Sequence, residues 1–480
     1  MRIEPISKWC IKALALVIII SFMWSCSFFG DRKKKEYIPI EIDLNQQVGK
    51  FGGMGANVPI SFYSRRMKAL QTLNELGIKY IRVKRVDENW DNILALRGAT
   101  QRLGIQWIYS LDAIPVAFLN EYGRLEDIEG FAGWWAEEVD ELLYQEVPAD
   151  YIELLDMPNI AVGDSLPIPS DEYNSLIHAT REQLALRGFE QIGIIGPGLS
   201  TPELSGNLET WYMDLDQQVF ESLDFWSVQV WQDQLAQGQT AETFSLFLEY
   251  LEKIESRKPV FVSSYASSET KFGEYQYPDP DSYDQLGNLS TFKTYYYSAT
   301  FSMPYALRVY SNTLDLLKHE GVVPFIYQIY DAPADVKFKK QSWGLLDLNG
   351  GEKPVFALLA NLMKRIPDDA SVLNTSYDSK YKLTALGFGS REKVIVTVCN
   401  QDSESKSIQI NLKGTKPSLE LVRAVSTSSP ELLAVELGQR DVVEAVELEL
   451  KLRRDNENNS HFFTISVEPL STLVAEFQYQ

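Results

Sequence analysis

The chain of 480 residues is poor in the side chains that most often build metal, thiol and triad sites, with three histidines and three cysteines. His178, His319 and His461 show no ligand spacing, so a histidine-built metal centre is not expected. The cysteines stand at positions 10, 26 and 399, too far apart for a zinc motif and too few for a disulfide framework. Cys399, in the alternating run Thr397-Val398-Cys399, reads as a buried strand residue. A long apolar run is also missing: Ala13–Trp24 has 12 residues, short of the roughly 20 that cross a bilayer. Nor is there a surplus of positive charge. Lys and Arg number 45 against 66 Asp and Glu, a formal charge of −21, which argues against a nucleic-acid partner.

What is present begins with an export signal. Arg2, Lys8 and Lys12 precede the apolar run, and Met23-Trp24-Ser25-Cys26 follows it with a small residue directly before the cysteine. This resembles a bacterial lipobox, and it implies cleavage after residue 25 and acylation of Cys26. Cys399 would then have no cysteine to pair with. Loss of residues 1–25 removes a net +2 from −21 and leaves −23. Arg32-Lys33-Lys34-Lys35 would lie in a tether, residues 26–36, beside lipid headgroups. The expected location is the outer membrane, on its periplasmic or cell-surface face, with the membrane reached through the anchor.

The body of the chain is globular in composition, 45% hydrophobic and 12% aromatic, and long enough for two domains. Across residues 49–367 short β-branched runs alternate with helical stretches. Eight strands are expected, at Gly52–Ala56, Tyr80–Val86, Gln106–Asp112, Tyr151–Met157, Ile192–Gly196, Phe225–Trp231, Pro259–Tyr265 and Val323–Ile329. Apolar residues recur at helical spacing between them, as at Leu70, Leu73 and Leu76 and at Phe244, Phe247 and Leu251. Gly77, Gly104 and Gly188 stand where helices should stop. The pattern implies an α/β fold, a (β/α)8 TIM barrel with any site at the C-terminal ends of its strands. Residues 368–480 alternate in the manner of an antiparallel β-sandwich, and the run at 37–48 is expected to join it.

Several segments carry a family resemblance. Gly52-Gly53-Met54-Gly55-Ala56-Asn57, Ile81-Arg82-Val83, and Trp343-Gly344-Leu345-Leu346-Asp347 with Lys353-Pro354 are similar in order and spacing to clan A glycoside hydrolases of the family 30 and 39 kind. That resemblance makes Asp156-Met157-Pro158 the counterpart of Asn-Glu-Pro, whose Glu is the acid/base. It makes Ser263-Ser264-Tyr265 the counterpart of Thr-Glu-Tyr, whose Glu is the nucleophile. Met157 and Ser264 therefore stand where the two carboxylates belong. A retaining glycosidase needs two carboxyl groups about 5 Å apart. Methionine moves no proton, and Ser264 has no histidine near it to activate it. Gln229 stands where relatives commonly carry His, and Asp156 where they carry a sugar-binding Asn.

The expectation is a carbohydrate-binding pseudoglycosidase that captures a glycan without cleaving it, with no cofactor implied. Its binding residues would be Arg82, Asp112, Asp156, Gln229, Trp231, Tyr265 and Trp343. Other aromatic platform candidates are Trp90, Trp134, Trp135, Trp211 and Tyr295-Tyr296-Tyr297, with the loop Glu269–Gly287 as a cover. Two alternatives stay open. An active hydrolase would use displaced acids, chiefly Asp156, Glu269 or Asp331, with Asp233 and Glu274 also at strand ends or in loops. A scaffold protein would bind nothing. Glu153, inside the fourth strand, reads as a buried and paired barrel residue.

Overall fold

The computed structural model describes residues 37–58, 66–84, 90–111, 113–162, 164–200, 211, 214–215, 217–230, 239–265, 271–272, 275–276, 299–331, 343–347, 349–414, 418–429, 441–455 and 460–480. A first strand, β1 (Ile38–Lys50), runs into the barrel strands β2 (Met54–Val58), β3 (Ile78–Lys84), β4 (Gln106–Ser110), β5 (Tyr151–Glu153), β6 (Gly193–Ser200), β7 (Phe225–Val230) and β8 (Val260–Tyr265). After the two-residue pair β9 (Lys271–Phe272) and β10 (Tyr275–Gln276), strand β11 (Val322–Ile326) completes the barrel. The eight strands close in the order β11-β2-β3-β4-β5-β6-β7-β8, and every ladder is parallel. The eight expected strands are all present, and the fold is a TIM barrel.

Helices fill the connections: α1 (Arg66–Glu75), α2 (Trp90–Arg102), α3 (Ile128–Tyr144), α4 (Ser170–Leu186), α5 (Gln217–Ser222), α6 (Gln239–Lys253), α7 (Met303–Leu317) and α8 (Pro354–Met363). Their apolar faces pack on the strands: Leu73 on α1, Leu76 just after it, and Phe244, Phe247 and Leu251 on α6 are buried. Gly77, Gly104 and Gly188 take φ of 56°, 69° and 78°, the left-handed stop expected of them.

The second unit is a mixed sheet of ten strands that curls on itself. It comprises β12 (Ser371–Ser376), β13 (Leu383–Gly389), β14 (Lys393–Asn400), β15 (Lys406–Lys413), β16 (Leu419–Ser428), β17 (Glu444–Glu447), β18 (Arg453–Asp455), β19 (Ser460–Val467), β20 (Ser471–Tyr479) and β1. β1 lies between β12, antiparallel, and β15, parallel, so one ladder departs from the antiparallel pattern. Cys399 on β14 is fully buried against the carbonyl of Leu307 on α7, and burial pushes its thiol up. The two units share more than apolar contact. The Tyr310 hydroxyl bonds Thr397 at 2.6 Å, and Asn361 donates to Thr427 at 3.0 Å.

Inside the barrel, strand alternation sorts the side chains into layers. Rings of Tyr80, Phe225, Phe261 and Phe325 close the lower part, with Phe225 and Phe261 stacked 4.2 Å apart. Gly55 is required there, because a β-carbon would meet the Phe325 ring at 2.4 Å. Two residues further along β3, β4, β5 and β7 come Arg82, Ser110, Glu153 and Ser227. The interior therefore turns from aromatic to polar toward the C-terminal end of the barrel.

Candidate functional site

The polar layer is organised around Arg82, whose side chain is fully buried. A guanidinium there needs counter-charge and acceptors for its fixed fork of donors. Its Nε donates to Glu153 Oε2 at 2.5 Å, and its Nη2 lies 2.7 Å from Asp156 Oδ1. Nη2 also donates to Ser110 Oγ at 2.8 Å, and Nη1 to Asn57 Oδ1 at 3.2 Å. Glu153 accepts further bonds from Ser110 at 3.1 Å and Ser227 at 3.0 Å. Asp156 accepts from the Gln229 amide. Asn57 extends the network to β8, donating to Ser264 Oγ at 3.3 Å and to the Ser263 carbonyl at 2.9 Å. The Ser264 hydroxyl is itself spent on that carbonyl, at 2.8 Å.

The fourth barrel strand ends earlier than the sequence suggested, at Glu153 instead of Met157. From Leu154 the chain leaves regular pairing. The Asp156 amide reaches Leu111 O at 2.8 Å on one side, and the Met157 amide reaches Gly198 O at 3.2 Å on the other. Met157 takes a φ of 55°. In a regular strand the side chain of Asp156 would point opposite to that of Met157. The irregular exit turns Asp156 inward onto Arg82 and places Met157 in the wall of a shallow groove with Ala113, Ile160, Val162 and Leu166. Asp156 also lines this groove.

Two expected site residues prove to be structural. Tyr265 was expected to meet a ligand, but its ring is buried and its hydroxyl bonds Thr313 on α7 at 2.7 Å. A register shift in β8 between Val262 and Ser264 breaks the alternation that starts from the inward Phe261 and sends Tyr265 outward into the helix layer, where burial pushes its phenol up. Asp331, a candidate displaced acid, is fully buried and held by Lys353 Nζ at 2.8 Å and the Gly344 amide at 2.7 Å. The Lys353 ammonium also lies 4.4 Å from the centre of the Phe301 ring. This clamp fastens the segment after β11 to the start of α8, which is work for a scaffold carboxylate. Glu153 is paired and buried, as its place in the strand implied.

The platform candidates divide similarly. Trp135 is fully buried, and Trp90, Trp134, Trp211 and Trp343 pack against the core. Trp134 stacks on Phe131 at 5.7 Å, and Trp343 lies 5.9 Å from Tyr327. Cys26, Asp112, Trp231, Asp233, Glu269, Glu274 and Tyr295–Tyr297 lie outside the described residues, as does most of the loop 269–287. Among the described residues no group of three His, Cys, Asp or Glu side chains could hold a metal ion. Asn57, Ser110 and Ser227 were not foreseen as members of the network. The available signal was their position two residues after the inward-facing Gly55, Ile108 and Phe225.

No protein-family model and no curated protein matches the chain. Solved structures do match over nearly its whole length. The family 30 subfamily 8 xylanase Xyn30A from Clostridium acetobutylicum aligns with a TM-score of 0.61 and 12% identity, over 92% of this chain and 99% of that one. SrfJ from Salmonella typhimurium aligns at 0.63 and 11%, over 94% of each chain. The family 39 enzyme from Xanthomonas axonopodis pv. citri aligns at 0.57 and 12%, over 94% and 99%. The structural neighbours are thus clan A glycoside hydrolases of families 30 and 39, and the likeness is one of fold.

Proposed function

We propose that this chain is a lipid-anchored carbohydrate-binding protein on a glycoside hydrolase frame, one that holds a glycan without hydrolysing it. One observation carries the reading: Arg82 is balanced by Glu153 and Asp156 inside the barrel, while the two strand ends that would carry catalytic carboxylates hold Met157 and Ser264. In the clan that this fold resembles, the arginine of the second strand lies near the nucleophile. Here Arg82 is engaged from β5 and the segment after it, and Ser264 makes a neutral link through Asn57. Asp156, the nearest acid to those positions in sequence, accepts from Arg82 and Gln229. Neither a positioned general acid nor a nucleophile of the clan's kind remains at those positions.

Polysaccharide capture at the outer membrane accounts for both the frame and the export signal. A xylanase shares the frame, so neutral plant polysaccharides are the first ligands to try. The test is a glycan-array screen of the full chain in mild detergent, together with palmitate labelling of the native protein and of Cys26→Ala. Saturable glycan binding and labelling lost in the variant support the reading. A chain that binds no glycan, or that takes up no lipid, contradicts the corresponding half of it.

A further inference from the structure

We infer that the turn at residues 120–124 presents Tyr122 as a stacking platform for a neutral glycan, at the edge of the groove walled by Met157 and Leu166. The inference rests on the carbohydrate reading above and adds a subsite that the sequence did not suggest. Tyr122 is 72% exposed, while the Trp side chains at 90, 134, 135, 211 and 343 pack into or against the core. It stands on the loop after β4, at the C-terminal face where barrel sites form.

The ring is carried on a well-fastened turn. Asn120 Oδ1 accepts from the amides of Tyr122 at 3.0 Å and Arg124 at 3.1 Å, and the Gly123 amide closes the turn on Asn120 O at 3.0 Å. The Asn120 amide reaches Arg124 O at 2.9 Å, and the bridge Leu119–Leu125 closes the base. Gly123 then accepts from the Leu166 amide at 2.7 Å, tying this loop to the one after β5. Only glycine fits there: φ is +77°, and a β-carbon would meet Asp164 O at 2.2 Å. Below, Phe118 packs on Phe131 at 5.4 Å. A tyrosine held this way loses little further backbone freedom when a ligand stacks on it.

Size and charge select the occupant. The exposed apolar side chains here are Val116, Tyr122 and Leu166, far short of the roughly 800 Å² that each partner of a stable protein complex buries. One exposed ring on a turn tied through Gly123 to the groove residue Leu166 suits the CH face of a sugar, whose hydroxyls stay wet. Glu121, Glu126 and Asp164 flank the turn against Arg124 alone, which disfavours an acidic glycan.

The test is calorimetric titration of the full chain in mild detergent with xylo-, cello- and laminari-oligosaccharides, and with an oligogalacturonate as the acidic control. For the tightest neutral ligand, Tyr122→Ala is expected to weaken binding tenfold or more. Tyr122→Phe should stay within twofold, and the melting temperature of both variants should be unchanged. Wild-type affinity in Tyr122→Ala would overturn the platform and leave the carbohydrate reading standing. Failure of every oligosaccharide to bind the wild type would overturn both. Preference for the acidic oligomer, or a Tyr122-dependent dimer in sedimentation, would overturn the neutral-glycan assignment.

Discussion

Arg82 on β3 and Asp156, just beyond β5, stand 2.7 Å apart inside the barrel. Glu153 already sits 2.5 Å from the same guanidinium, so one cation holds two carboxylates. Glu153 is deep in the interior, and Asp156 is the member of the pair that reaches the groove. What Asp156 offers a ligand is a fixed acceptor held by an arginine and an amide. That suits orienting a sugar hydroxyl better than cycling a proton.

The shared cation makes Ser264 a sensitive position. Ser264→Glu would bring a third carboxylate toward Arg82 through Asn57, in a place that is buried and has no second cation among the described contacts. The variant is expected to lose about 2–4 kcal/mol of unfolding free energy. Adding Asp156→Asn should return at least about 1 kcal/mol of that, a coupling that a double-mutant cycle in urea measures. Strict additivity would mean that the two positions do not share Arg82.

Removal of Glu153 tests the interior ion pair itself. Glu153→Gln strips the buried arginine of its closest partner and should cost about 3–5 kcal/mol. Arg82→Met, which leaves two carboxylates without their cation, should cost at least as much. Chemical denaturation of both variants checks the ordering, and a loss under about 1 kcal/mol would show that solvent reaches the layer.

Much of this architecture was legible in the sequence, for identifiable reasons. Parallel strands buried on both faces read as short β-branched runs, and residues such as Gly77 and Gly188 marked the helix ends, so all eight barrel strands were found. Glu153 could be read as an interior acid because it sits two residues after the inward-facing Tyr151. The irregular exit after Glu153 was not readable, since it depends on amides of residues 156 and 157 finding carbonyls on β6 and beside β4. The outward turn of Tyr265 depends on a register shift after Val262 that simple alternation from Phe261 does not give. Asp331 looked like a loop acid because its partner, Lys353, lies 22 residues further along the chain. Tyr122 carried no periodic or motif signal at all. Its exposure arises from the turn that Asn120 builds.

A pH effect should come from His319, just after α7. Burial beside the Phe244 ring, with Lys318 adding to it, lowers its pKa from 6.5 to about 4. The folded protein keeps this imidazole neutral, whereas the unfolded chain takes up a proton below 6.5. Its contribution to stability is therefore present above pH 6.5 and is lost as pH falls toward 4. After allowance for partial exposure, about 1–2 kcal/mol is expected across that window. His319→Gln should flatten the fall in melting temperature over the same range relative to wild type.

The junction of barrel and sandwich offers a separate check. The buried carboxylate of Asp441, in the second unit, accepts from the Met303 amide at 2.7 Å at the start of α7, and the Asp441 amide donates to Phe301 O at 2.9 Å. An acid at a helix N-terminus satisfies an orphan donor and the helix dipole together. Asp441→Ala should lower stability by about 1–2 kcal/mol, measured as a shift of the thermal midpoint. Hydrogen exchange should quicken first in the opening turn of α7.

A frame that binds sugar and has lost hydrolysis should release nothing during extended incubation of the full chain with each glycan it binds. New reducing ends are counted over several days against a heat-inactivated control. None above the control is expected. Slow cleavage that disappears in Asp156→Asn would contradict it and show that a working site has been rebuilt around that acid.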